Sequence, residues 1–203
     1  MRSKVLVIPD IHGKIELLEK ILDKHGNVER VIQIGDLANC VLADKDGDVK
    51  CIELAKKFGI ECLIGNHEHP YFGGVRFSGF YPVPEVKEAV LSVDWKVATT
   101  VGDTLLTHAG VHLFMESRFD SAKDAADKLN ALWKENPRDP VFNGISDARR
   151  GYDAYGGVLW RDFSEFVTQK FPQVFGHTKK DSVRMIGKAI CIDCEQPFIM
   201  YLV

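Results

Sequence analysis

"ECLIGNHEHPYFGG", residues 61–74, decides how the chain is read. A short apolar run, Glu61 to Ile64, stops at Gly65. An amide, an imidazole and a carboxylate follow at once in Asn66, His67 and Glu68, and His69 adds a second imidazole. Taken alone, the decapeptide from Gly65 is a turn, because Gly and Asn are turn formers and isolated His residues decorate surfaces. The same grammar, an apolar run followed by acidic, amide or imidazole side chains beside a Gly, recurs elsewhere along the chain.

Outward from that stretch, the first third alternates strand and helix. KVLVIPD (4–10) suits a buried parallel strand. KIELLEKILDKHG (14–26) places Ile15, Leu18, Ile21, Leu22 and His25 on one helical face, with Gly26 as its stop. RVIQIGD (30–36) is a second strand. GDVKCIELAKKFG (47–59) is a second helix, with Ile52, Ala55 and Phe58 on one side, and IECLIGN (60–66) is a third strand. This order implies a parallel sheet with right-handed crossovers. YFGGVRFSGFYPVP (71–84) reads as a long loop or lid, and WKVATTVGDTLLTHAG (95–110) as a hairpin turning near Gly102-Asp103. SAKDAADKLNALWKE (121–135) is a clear amphipathic helix ended by Pro137; residues 136–157 are turn-rich, and the tail from Phe171 reads as strands. The whole is expected to be one domain, 1–203, with 111–157 as a helical and loop insertion.

The bulk numbers narrow the class. A net charge of −3 in 203 residues gives no basic nucleic-acid surface. No apolar run approaches the ~18 residues that span a bilayer. MRSKVLVIPD turns acidic too early for a signal peptide, so a reducing cytoplasm is expected. Five Cys without framework spacing argue against a disulfide scaffold, and Cys191 and Cys194 are expected to be structural thiols. DKDGDVK (44–50) lacks the Gly and Glu of a calcium loop and reads as a turn before a helix. Neither a Walker-A cradle nor G-x-G-x-x-G is present.

The strand ends carry the chemistry. They read Asp10-Ile11-His12-Gly13, Gly35-Asp36, Gly65-Asn66-His67-Glu68, Thr107-His108-Ala109-Gly110 and Gly176-His177-Thr178. Carboxyl ends of parallel strands converge on the ligand crevice of an α/β sheet. A mixture of carboxylate, imidazole and amide oxygen suits borderline divalent metals rather than an all-oxygen calcium or magnesium cage. Six such groups are too many for one ion with an open position; they suit two ions about 3.5–4 Å apart sharing a carboxylate.

The series DIHG, GD, GNHE, THAG and GHT, with GVLWRD (157–162) and ICIDC (190–194), resembles the calcineurin-like metallophosphoesterases. Within them it is most similar to the phosphoprotein-phosphatase-type branch of phage and bacterial serine/threonine phosphatases and symmetrical dinucleoside tetraphosphatases. The resemblance implies a four-layer α/β/β/α sandwich with the active site at the strand ends. It also implies two divalent transition metals, manganese first among them, with iron, zinc or nickel as the other candidates. Asp10 and His12 would hold the first, Asp36 would bridge, and Asn66, His108 and His177 would complete the second. Hydroxide between the metals would attack phosphorus in line, with His67 as general acid. Asp36, His67 and Arg161 are the implied catalytic residues, and Asn66, Arg161 and Arg76 the candidate substrate contacts. Glu68 could fix the turn through nearby backbone. His69 inherits no role and is expected at the surface or in the lid.

Several positions depart from the branch. Asn39 stands where an Asp usually orients the general acid, Cys40 and Ile64 stand where arginines usually clamp phosphate, and Lys179 stands where other branches have a last metal-binding His. Replacing Cys40 by Arg is therefore expected to improve monoester turnover. The partner expected is a small phosphorylated substrate, a nucleotide or a phosphoprotein, with no membrane and no strong nucleic-acid signal. A nucleotide pyrophosphohydrolase or phosphodiesterase is the alternative chemistry. A non-catalytic interaction module on the same fold, as in a retromer subunit, is the alternative of another class.

Overall fold

The computed structural model describes residues 4–25 and 27–201; Gly26, expected to stop the first helix, lies outside the described residues. Strand β1 (Lys4–Ile8) leads to α1 (Ile15–His25), β2 (Arg30–Gln33), α2 (Lys45–Lys57) and β3 (Glu61–Cys62). These strands pair in parallel in the order β3-β2-β1, as the alternation requires, and β9 (Phe198–Tyr201) joins the free edge of β1 antiparallel. The hairpin of β4 (Ala98–Val101) and β5 (Thr104–Thr107) turns at Gly102-Asp103. It begins a second sheet in the order β4-β5-β6-β8-β7, completed by β6 (Gln173–Phe175), β7 (Arg184–Ile186) and β8 (Ala189–Cys191). In this sheet β5, β6 and β8 run parallel.

The period of two along the strands builds the layers. Val5 and Val7 face the core between the sheets, with Ile32, Leu106 and Val174, whereas Leu6 and Ile8 face the core shared with the helices. Leu105 and Leu106 split between the same two cores. The result is the α/β/β/α sandwich expected from the motifs.

The helices follow their stripes. α1 buries Leu18, Ile21 and Leu22 and carries Glu16 in its first turn and Lys24 and His25 in its last, matching the helix dipole. α2 starts at Lys45, two residues earlier than expected, and Phe58 is 52% exposed rather than part of its apolar side. The segment between β5 and β6 holds α4 (Leu113–Glu116), α5 (Ala122–Glu135) and α6 (Pro140–Asn143). Ser121 caps α5 by accepting from the amide of Asp124, and Ala122, Ala125, Ala126, Leu129 and Trp133 form its buried stripe, laid against β4 and β5. A short helix not anticipated from sequence, α3 (Pro84–Leu91), follows the irregular stretch 73–83. All five cysteines are free and buried.

No helix among the described residues is long and apolar enough to cross a membrane.

Candidate metal centre

Each strand end named above delivers its side chain to one rim, and the loops are zipped together by backbone. Ile11 and His12 amides donate to the carbonyl of Asp36 at 2.9 Å, and Gly176 donates to the carbonyl of His108 at 2.8 Å. The amide of His177 donates to Asp10 Oδ2 at 3.0 Å, which ties the second sheet to the first. His12, Asp36 and His177 all hold positive φ (51°, 54° and 67°). Non-glycine residues adopt that region at a cost, and it is concentrated at functional sites.

Asp36 is the hub. Its Oδ2 lies 3.5 Å from His108 Nε2, 3.8 Å from His67 Nε2 and 3.9 Å from His12 Nε2. Two groups of potential ligand atoms, each within 4.8 Å of one another, share it: His12, Asp36 and His67, and Asp36, His108 and His177. Gly65 is required here by close approach, since a Cβ there would fall 2.1 Å from Asp36 Oδ1. Gly176 is held to Gly in the same way, by Asp10 Oδ1 at 2.0 Å.

The donors fit divalent cations. His108 Nδ1 donates to the carbonyl of Ile34 at 3.1 Å, which leaves Nε2 as a lone pair. That lone pair faces Asn66 Oδ1 at 3.0 Å and His177 Nδ1 at 3.1 Å. Ligands held about 2.0–2.2 Å from one ion at neighbouring positions sit about 3–3.5 Å apart. One proton satisfies a single pair of these atoms, whereas a cation satisfies them all. Asp10 Oδ1, His12 Nδ1 and His177 Nε2 are buried without a hydrogen-bond partner.

Electrostatics agree with a pocket built for added positive charge. Burial pushes Asp36 up to about 8. Asp10 is raised well above the carboxylate range by burial and then by the neighbouring charges of Asp193 and Asp36. Burial also holds His12 and His108 down to about 3 and His177 well below the usual imidazole value, so the rings are neutral donors. Without metal, Asp36 and Glu68, both near 8 in the fold, keep protons that the unfolded chain has released. Above the ordinary imidazole range of about 6.5, where the unfolded chain's histidines are neutral as well, the folded state binds more protons than the unfolded one, so stability falls as pH rises. Urea unfolding in chelator is expected to give a lower midpoint at about pH 8.5 than at about pH 7.5, with manganese reversing the loss. A flat or rising midpoint contradicts this electrostatic picture.

Glu68 is the keystone beneath the centre. It is fully buried, and its carboxyl oxygens accept from the amides of Ala38 at 2.8 Å, Gly65 at 3.0 Å and Asp36 at 3.1 Å. The loops after β2 and β3 are thus held by one side chain. His67 Nδ1 donates to the carbonyl of Asn39 at 2.8 Å, and the ring of Phe77 stacks on it at 3.9 Å. The stretch 71–84 therefore reaches the general-acid candidate. Arg76, beside Phe77, is exposed with its guanidinium 5.6 Å from the Phe80 ring.

Three expectations are corrected. Arg161 does not present its guanidinium to a substrate: it is 1% exposed, lies 3.5 Å over the Phe166 ring and donates to the carbonyls of Val111 and Glu165. His69 is neither on the surface nor in a lid. It is fully buried, donating from Nε2 to the carbonyl of Pro137 at 2.6 Å and packing near Trp133 and Phe142. Cys40 is buried in the helix-side core, as is Ile64. An arginine at position 40 would bury a charge, so Cys40→Arg is now expected to destabilise the fold by about 3 kcal/mol or more, measured by urea denaturation, rather than improve turnover.

Three residues near the centre escaped the sequence reading. Arg149 donates from Nη2 to the carbonyl of His177 at 3.0 Å and to Thr178 Oγ1 at 2.8 Å, and pairs through Nε with Asp162 at 2.9 Å. Asp193, inside the segment ICIDC, is a buried acid whose charge is felt by Asp10 and Asp36. Asp48 accepts from the amides of Asn39 and Cys40. Both acids lie in segments noted above, DKDGDVK and ICIDC, where the local pattern gives their side chains no role, and Arg149 is one of two adjacent arginines in the turn-rich segment. Lys179 is directed to Glu195 at 2.7 Å, as is Lys14 at 2.5 Å.

The family model for calcineurin-like phosphoesterases matches residues 3–181. The chain belongs to that family. The family is one of phosphoesterases. Among solved structures, a cold-active protein-tyrosine phosphatase from a psychrophilic Shewanella species superposes with a TM-score of 0.60 at 19% identity, covering 95% of this chain and 71% of that one. A candidate diadenosine tetraphosphatase gives 0.55 at 16% identity, covering 98% and 93%. A protein serine/threonine phosphatase from Saccharomyces cerevisiae gives 0.55 at 14%, covering 94% and 66%. At these identities the likeness is one of fold. A stretch of 120 residues, 58% of the chain, is 25% identical to mouse tetratricopeptide repeat protein 21B, but spans only 8% of that protein.

Proposed function

We propose that this calcineurin-like phosphoesterase hydrolyses small phosphate esters at a centre for two divalent cations, manganese first among them. The observation that carries the reading is the convergence of lone pairs from both sheets on Asp36. Asp10, His12 and Asp36 would hold one ion, and Asp36, Asn66, His108 and His177 the other. When bound, such ions supply Lewis acidity toward phosphoryl oxygens and acidify water.

The chain's own residues do the rest. His67 spends its Nδ1 proton on the carbonyl of Asn39, so Nε2, 3.8 Å from Asp36 Oδ2, carries a proton only when the ring is imidazolium, and it is in that form that Nε2 passes a proton to the departing oxygen. Phe77 covers one face of that ring, giving the 71–84 stretch its role as a lid over the acid. Arg149, rather than Arg161, supplies the guanidinium charge at the rim, fixed there by its bond to the His177 carbonyl. The whole chain acts as one domain, since both sheets contribute ligands, and its five free thiols fit a reducing cytoplasm.

The burial of Cys40 and Ile64 favours a second reading within the same chemistry. Without a pair of arginines to grip a dianionic monoester, a diester or a nucleotide pyrophosphate is the competing substrate. Manganese-loaded protein assayed with p-nitrophenyl phosphate and its bis-ester, with metal quantified, decides. About two ions per chain and chelator-sensitive turnover are expected. Faster bis-ester cleavage selects the second reading. Bound metal with no turnover of either ester overturns both and leaves an interaction module.

A further inference from the structure

We propose that Asp48 is the positioning residue for His67, acting through the peptide bond between Asn39 and Cys40. The role assigned to His67 rests on the phosphoesterase reading; the link from Asp48 rests on geometry alone. Asp48 lies in the first turn of α2 with no exposed surface. Its Oδ1 accepts from the Asn39 amide at 2.6 Å and its Oδ2 from the Cys40 amide at 2.9 Å. The carbonyl of Asn39 belongs to the same peptide plane as the Cys40 amide. In a trans peptide the N–H and C=O point in opposite directions. Fixing the amide on Asp48 therefore aims the carbonyl away from Asp48, and there it receives His67 Nδ1 at 2.8 Å.

The local backbone needs such an anchor. Cys40 holds φ at 56°, a region that a non-glycine side chain occupies only when its surroundings impose it. The carboxylate is itself wedged: a Cβ on Gly13 would fall 2.5 Å from Asp48 Oδ1, and one on Gly47 would fall 2.3 Å from the Gly13 carbonyl. Helix α2 thus sits hard against the loops after β1 and β2. The side-chain amide of Asn39, where a carboxylate was expected to orient the acid, is turned instead to Asp44 Oδ2 at 2.5 Å. The orienting carboxylate has moved one helix along and one peptide bond away. Its consequence for His67 is a fixed ring direction with Nδ1 as the donor, so that the second proton of the imidazolium form can sit only on Nε2, the atom that acts as acid.

Two measurements test this on the full chain. The first compares wild type and Asp48→Asn, loaded with manganese, on phenyl phosphate and 2,4-dinitrophenyl phosphate. A displaced acid hurts the poor leaving group most, so kcat should fall about tenfold or more on the phenyl ester and less than about threefold on the dinitrophenyl ester. In a His67→Asn background the same change should have no further effect on the phenyl ester. Equal losses on both esters, or additive effects with His67→Asn, overturn the proposal. The second uses long-range nitrogen–proton NMR on metal-free protein. The His67 proton should reside on Nδ1 in wild type and distribute over both nitrogens in Asp48→Asn; an unchanged tautomer in the variant overturns the link. Asp48→Ser, which keeps one acceptor oxygen, replaces Asp48→Asn if that variant does not fold. An inert wild type removes the phosphoesterase reading, and the nitrogen spectrum then decides the Asp48 link by itself.

Discussion

Asp36→Ala is expected to strip the protein of manganese and lower turnover by roughly a thousandfold or more, because Lewis-acid stabilisation is worth several kcal/mol and each ~1.4 kcal/mol is tenfold in rate. The reason is geometric. Asp36 Oδ2 is the atom that His12, His67 and His108 all face within 3.9 Å, so no neighbouring side chain replaces it. The fold should survive, since a buried carboxylate held up to about 8 without metal is itself an electrostatic burden on the empty pocket. Metal analysis after dialysis against manganese, set beside a urea midpoint in chelator, separates the two effects. A variant that still carries about two ions per chain would sink the bridging role.

The second large effect belongs to Glu68→Ala. It leaves the amides of Asp36, Ala38 and Gly65 without their acceptor in a site closed to water. Each orphaned buried donor costs about 1–3 kcal/mol, so a loss of about 3–5 kcal/mol is expected, allowing for partial relaxation. All three amides belong to the turns that carry Asp36 and Asn66, and manganese affinity should fall about 10–100-fold as those turns loosen. Calorimetric titration with manganese reads the second effect in whatever fraction remains folded. Unchanged stability would mean that the three amides find other partners, and the keystone role would be lost.

The sequence made much of this legible, for physical reasons that can be named. Alternating apolar runs and helical stripes gave β1 to β3 as a parallel set, and Gly102-Asp103 gave the hairpin of β4 and β5. The metal donors were visible because each follows an apolar run, and parallel strand ends meet. What stayed hidden depends on tertiary placement. Nothing local says that β9 pairs with β1, nearly two hundred residues earlier. Arg161 follows Trp160 in a motif-like segment, yet its direction is set by Phe166 and the Glu165 carbonyl just downstream and by the Val111 carbonyl from a distant segment. His69 looked like surface because imidazole is polar; a single carbonyl, that of Pro137, is enough to bury it. Asn39 drew notice for its side chain, while its backbone carbonyl makes the contact with His67.

The five sequestered thiols offer a clock. Burial lifts Cys40, Cys51, Cys62, Cys191 and Cys194 above the ordinary thiol range, so little thiolate exists in the closed protein. Only thiolate reacts with an alkylating reagent, so label enters through transient openings. Cys40 sits in the loop after β2, Cys51 in α2, Cys62 in β3, and Cys191 at the end of β8. Mass-resolved alkylation therefore times the breathing of each region separately, without introducing a foreign probe.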